Sequence, residues 1–140
     1  MTATLPTVDY VIACESVRPD LGNKLNILGF YGVLPRAHIR IAEWESPINL
    51  LFMVSTHGGV EKFKIQLRIK QPDASELVLS IAVDAEPAIA PGNAVIVFEF
   101  PSIAFKQEGE HRIEALVNDK LAYEKSFFIG KGLLDIPAVR

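Results

Sequence analysis

Ile103-Ala104-Phe105-Lys106-Gln107-Glu108-Gly109 opens the stretch that decides the fold. Residues 111–117 follow as one strand-like run, Asn118-Asp119 as a break, and residues 121–129 as a second run. In the first run Ile113, Ala115 and Val117 recur at every second position, the period of a strand rather than of a helix. Phe127 and Ile129 fall on the same side once the two runs fold back on each other. Asparagine and aspartate tolerate left-handed backbone, so Asn118-Asp119 suits a two-residue hairpin turn. The stretch reads as a closing β-hairpin with one apolar face.

Residues 61–70 repeat the pattern more sharply. Phe63, Ile65, Leu67 and Ile69 alternate with Lys62, Lys64, Gln66, Arg68 and Lys70, so one face packs and the other is wet. Gly58-Gly59 before them can adopt the positive φ of a tight turn, which predicts a hairpin joining the apolar run 48–56 to the run from Val60. Gln71-Pro72-Asp73-Ala74 predicts a turn into Leu77, Leu79, Ile81 and Val83, again alternating. Together these runs predict a three-stranded meander through the centre of the chain.

Upstream, residues 10–17 and 24–32 read as two strands around the turn-rich 18–23 segment, and residues 37–41 as a short strand. Residues 87–93 hold two prolines and a glycine, which predicts a crossing from one sheet to the other before the run 94–100. Pro101 cannot donate to a ladder. It predicts a strand end, a bulge or an edge position, with residues 102–105 continuing after a kink. Eight or nine short strands with evenly spaced turns and no helical periodicity predict an all-β chain, folded as a single antiparallel β-sandwich domain over residues 1–130 with a C-terminal arm at 131–140.

Cys14-Glu15-Ser16-Val17-Arg18, then Lys24-Leu25-Asn26-Ile27-Leu28-Gly29-Phe30, together with the hairpin over 109–128, resembles a family of small uncharacterised bacterial proteins with an immunoglobulin-like β-sandwich. The resemblance spans residues 11–128 and implies that fold without an assigned activity. Many such hairpins place a tyrosine two residues after the glycine; this chain has His111, which lacks the hydroxyl for a tie to the backbone.

With 140 residues, 49% of them hydrophobic, and a mean hydropathy of +0.24, the chain can fill a core without disulfides or metals. A formal net charge of −3 gives no field to draw it to nucleic acid or to an anionic membrane. No apolar run approaches the roughly 18–20 residues of a membrane helix. The lone Cys14 cannot form an internal disulfide, so the expected setting is cytoplasmic.

Reactive constellations are not legible. Cys14 sits mid-strand among Ile12, Ala13 and Val17, where a cysteine behaves as a small hydrophobe, and no Gly-x-Ser-x-Gly elbow occurs. His38, His57 and His111 lie singly on different segments, unlike the short spacings of zinc ligands. Gly130-Lys131-Gly132 lacks the spacing and the following Ser or Thr of a phosphate loop. The expectation is a non-enzyme with no cofactor and no catalytic or metal-binding residues.

Three features remain as candidate interaction surface. Lys62, Lys64, Arg68 and Lys70 line one face, where they could meet an acidic partner or merely solvate the face or blunt an edge strand. Trp44, between strands, either anchors a partner or caps the core. Leu133, Leu134 and Ile136 follow the last strand and need cover on this copy or another. The expected function is a protein-binding module that acts through contacts with a partner or with itself as a homo-oligomer. The alternative is small-ligand or carbohydrate binding by strand-end loops that include Trp44 and residues 87–93.

Overall fold

The computed structural model describes residues 4–22, 24–89 and 91–132. Among these residues ten strands follow one another: β1 (Thr7–Asp20), β2 (Lys24–Val33), β3 (His38–Ile41), β4 (Ile48–His57), β5 (Phe63–Lys70), β6 (Glu76–Leu79), β7 (Val83–Ala85), β8 (Ala94–Ile103), β9 (Gly109–Val117) and β10 (Lys120–Lys131). They form two sheets. One has the order β2-β1-β4-β8; the other has β3-β10-β9-β5-β6, with β7 also pairing β5.

The closing hairpin forms as its sequence requires. β9 and β10 pair antiparallel across Asn118 and Asp119, whose φ angles of 48° and 65° are those of a two-residue primed turn. Ile113, Ala115, Val117, Phe127 and Ile129 all face the core. The 87–93 segment does cross between sheets, from β7 to β8. Pro101 lies within β8, on an edge of the four-stranded sheet, where the register with β4 slips between Ile48 and Leu50. A residue without an N–H is tolerated at such a bulge.

Two expectations fail. β4 and β5 belong to different sheets, so Gly58-Gly59 is a crossing and not a hairpin turn, although both glycines do take positive φ, 73° and 82°. Positive φ marks any sharp reversal, and here it turns the chain over the end of the sandwich. The central meander is therefore limited to β5 and β6. The alternating run 77–83 also divides: Ser80 ends β6, with its Oγ accepting from Leu67 N–H and its N–H donating to Leu67 O, and β7 restarts the pairing with β5. That division raises the strand number to ten.

The strand order is that of an immunoglobulin-like sandwich. β1, β4 and β8 stand where its strands A, B and E lie; β5, β6, β9 and β10 stand as C, C′, F and G. β3 runs parallel to β10 along the other edge, and β2 is an addition outside β1. The core fills the gap between sheets. Phe52 of β4 meets Phe127 of β10 edge-on at 5.7 Å between ring centres, and Phe127 meets Phe105 at 6.3 Å.

His111 occupies the tyrosine position at the start of β9. Its ring lies between Phe105 and Phe127, fully buried, and Nδ1 donates to the carbonyl of Gly109 at 3.1 Å. A carbonyl can only accept, so the proton sits on Nδ1. Nε2 is then a bare acceptor, and it has no partner. An imidazole thus supplies the local backbone tie that a hydroxyl would make.

Burial holds the His111 pKa below the ordinary histidine value, with the Gly109 carbonyl and Asp73 opposing weakly. The unfolded chain, at the ordinary value, therefore takes up a proton as pH falls through about 6.5 while the folded one does not, and stability is lost in that interval. Urea midpoints at pH 7.5 and pH 5.5 test this. The wild type should be less stable at the lower pH, and His111→Phe should remove a large part of the difference; equal pH dependence in the two proteins would refute the assignment.

Candidate functional site

Acids stand among the cations of the lysine stripe. β5 lies between β9 and the β6/β7 pair and is not an edge strand, so its charges do not guard an edge. Arg68 Nε donates to Glu114 Oε1 at 2.7 Å, a cross-strand pair in which the glutamate is buried. Lys62 meets Glu86 at 3.4 Å. Lys64 stands opposite Asp84, and Lys70 opposite Glu76 and Arg112. Acids are thus interleaved with the stripe, two in ion pairs and two as register neighbours, which weakens the field it presents.

Trp44 is half-buried against the core. Its loop is held by the N–H of Glu45, which donates to Phe105 O at 2.8 Å, so the indole caps one end of the sandwich. Leu133, Leu134 and Ile136 lie outside the described residues; β10 itself runs on through Lys131.

The three histidines stay apart. His38 stacks edge-on against Phe128, His57 Nδ1 contacts Asp9 Oδ1, and His111 is in the core. Among the described residues no group of three or more His, Cys, Asp or Glu converges. Cys14 is fully buried and burial pushes its thiol pKa up, which leaves little thiolate. A hollow of about 450 Å³ opens between the edges of β6 and β8, lined by Leu77, Val78, Phe100 and Ile103 with Glu99 and Lys106 at the rim. Neither Trp44 nor the described residues of the 87–93 crossing line it.

The feature that sequence reasoning missed is the outer face of the four-stranded sheet. Cys14, Leu51 and Met53 form a second apolar cluster, separate from the intersheet core, with Ile12, Val17 and Ile27 packed against it. The register lays these residues in rows across the sheet. Val33, Ile12, Met53 and Val97 run across all four strands; Phe30, Cys14 and Leu51 make the next row, ending at Glu99. The flanks are open to solvent: Phe30 is 60% exposed, Val33 40% and Val97 39%. Val95, opposite Ser55, extends the apolar surface.

The signal for this face was the composition of β4. Leu50-Leu51-Phe52-Met53-Val54 is apolar without alternation, the pattern of a strand covered on both sides. One side of β4 meets the other sheet. Its other side is the outer face.

No curated protein matches the sequence. Among solved structures, a CARDB domain from Pyrococcus furiosus, determined in complex with di-metal ions, matches 94% of this chain and all of its own at 14% identity and a TM-score of 0.44. An immunoglobulin-like protein from Pseudomonas aeruginosa matches 89% of this chain and 96% of its own at 17% identity and 0.39. The alkylpurine DNA glycosylase AlkC of Pseudomonas fluorescens, bound to DNA containing an abasic site analog, matches 69% of this chain at 18% identity and 0.43, and the match spans 28% of the AlkC chain. These are likenesses of outline and bring no function with them. The sequence itself, over residues 9–130, matches one family, described as a family of unknown function (DUF6941), and the chain belongs to that family.

Proposed function

We propose that this protein is a non-enzymatic interaction module of the cytoplasm whose contact surface is the outer face of the four-stranded sheet. The observation that carries the reading is the row Val33, Ile12, Met53 and Val97, apolar across every strand of a face turned away from the core. An antiparallel sheet with one face in solvent alternates apolar and polar residues. This sheet is apolar on both faces: buried Cys14, Leu51 and Met53 are bordered by exposed Phe30, Val33, Val95 and Val97, and exposed apolar residues grouped on one face mark a place where another molecule sits. The opposite side of the sandwich is different in kind, carrying the Arg68–Glu114 and Arg112–Glu124 pairs.

Capture from lysate with two baits tests the reading. Wild-type protein should retain a defined set of partners, its own chain included. Val97→Glu should lose them, because a carboxylate placed in an apolar contact is stripped of water without compensation. Equal capture by both baits would show that contacts are made elsewhere.

A further inference from the structure

Resting on the reading of this face as a contact surface, we infer that what covers it is a second copy of this chain, the two four-stranded sheets packed face to face about a two-fold axis parallel to the strands. Size is the first argument. Four strands spaced about 4.8 Å apart, over the ten residues of β4 at about 3.3 Å each, make a face of roughly 600 Å² in projection. Side-chain relief raises the accessible area above the projection, toward the roughly 800 Å² per partner of a standard stable interface.

Charge is the second. Across the rows Tyr10-Ser55-Val95, Val33-Ile12-Met53-Val97 and Phe30-Cys14-Leu51-Glu99, one residue is ionised, and at the end of β4 the Asp9 carboxylate is held by His57. A partner chosen by electrostatic complementarity would find only Glu99 and the Asp9–His57 contact to read. An isologous dimer instead needs a patch that tolerates itself, and an almost uncharged face meets its copy without burying like charges.

Placement of the charge selects the axis. Glu99 lies on β8, at one rim, and Phe30 and Val33 lie on β2, at the other. A two-fold parallel to the strands lays β2 of each copy over β8 of its partner. Such an axis keeps each row in place, so Val33 lies over the partner's Val97 and Phe30 over the rim carrying the partner's Glu99, and the two Glu99 carboxylates stay on opposite rims, away from each other. Sheets packed in this aligned way sit about 10 Å apart.

Sedimentation of the full chain from low to high micromolar concentration tests the inference. The wild type and Lys64→Glu, which alters the other sheet's outer surface, should both sediment as dimers. Val97→Glu and Phe30→Glu, on opposite rims, the second set against the partner's Glu99, should each weaken the dimer at least about tenfold while keeping the circular dichroism of the wild type. A monomeric wild type at the highest concentration overturns the second copy; if its capture of partners still depends on Val97, the contact face itself stands, and if not, both fall. A wild-type dimer that neither rim substitution weakens also overturns the inference.

Discussion

Phe127→Ala should cost about 3–5 kcal/mol of folding stability, the range for removing an aromatic ring from a core that cannot collapse around the void. Phe127 is fully buried between the sheets. It touches rings on three separate segments: Phe52 of β4, Phe105 after β8 and His111 of β9. The first belongs to the four-stranded sheet and the last to the other, so the ring is one of the contacts through which the sheets hold each other. Urea unfolding should show a lower midpoint with an unchanged slope, the mark of lost stability without a change in the denatured ensemble. The neighbouring Phe128→Ala is the internal control. That ring points to the other side, is 40% exposed against His38, and should cost under about 1 kcal/mol. Equal effects at the two positions would mean that the β10 register is wrong by one residue, since a slip of one exchanges the two faces.

Gly32→Ala is the second large effect, about 2–4 kcal/mol, and its cause is steric. A Cβ at Gly32 would stand 2.7 Å from Ala37 Cα and 2.8 Å from Arg36 O, both backbone atoms that cannot swing aside, and φ there is +144°. Strained backbone and overpacking each cost roughly 1–3 kcal/mol. The turn that comes back over Gly32 contains the cis Leu34-Pro35 bond and the Arg36 N–H donating to Val33 O. Gly58→Ala separates the two contributions. Its φ of +73° is also unfavourable, but nothing lies within 4 Å of the added carbon, so about 1 kcal/mol should be lost. Thermal melts of both variants would decide the matter: if Gly32→Ala melts no lower than Gly58→Ala, the close approach is absent.

Period-two alternation was enough to place most strands, because each faces the core on one side and solvent on the other. β5 is the clearest instance, with all four of Phe63, Ile65, Leu67 and Ile69 buried. Sheet membership was a different problem. Gly58-Gly59 signals a reversal, and a hairpin and an intersheet crossing begin with the same backbone; which one forms depends on where β9 takes its partner, fifty residues later. The lysine stripe was legible as a stripe, but the acids set among it were not, since Glu114 pairs with Arg68, and Asp84 comes opposite Lys64, only through cross-strand register. The contact face escaped for a related reason. Ile12, Met53 and Val97 are unremarkable singly, and only pairing across the sheet turns them into a row.

The parallel pairing of β3 with β10 bears on synthesis. His38 lies opposite Phe128, so the four residues of β3 wait for a segment made 90 residues later, 128 less 38. At about 5–20 residues per second the interval is roughly 5–20 s. During it the apolar Ile39 and Ile41, buried in the finished fold, have no strand beside them. The nascent chain therefore passes through a period of exposed, unzipped edge in which a ribosome-bound chaperone, or a neighbouring nascent chain, competes with the last hairpin for the same backbone groups.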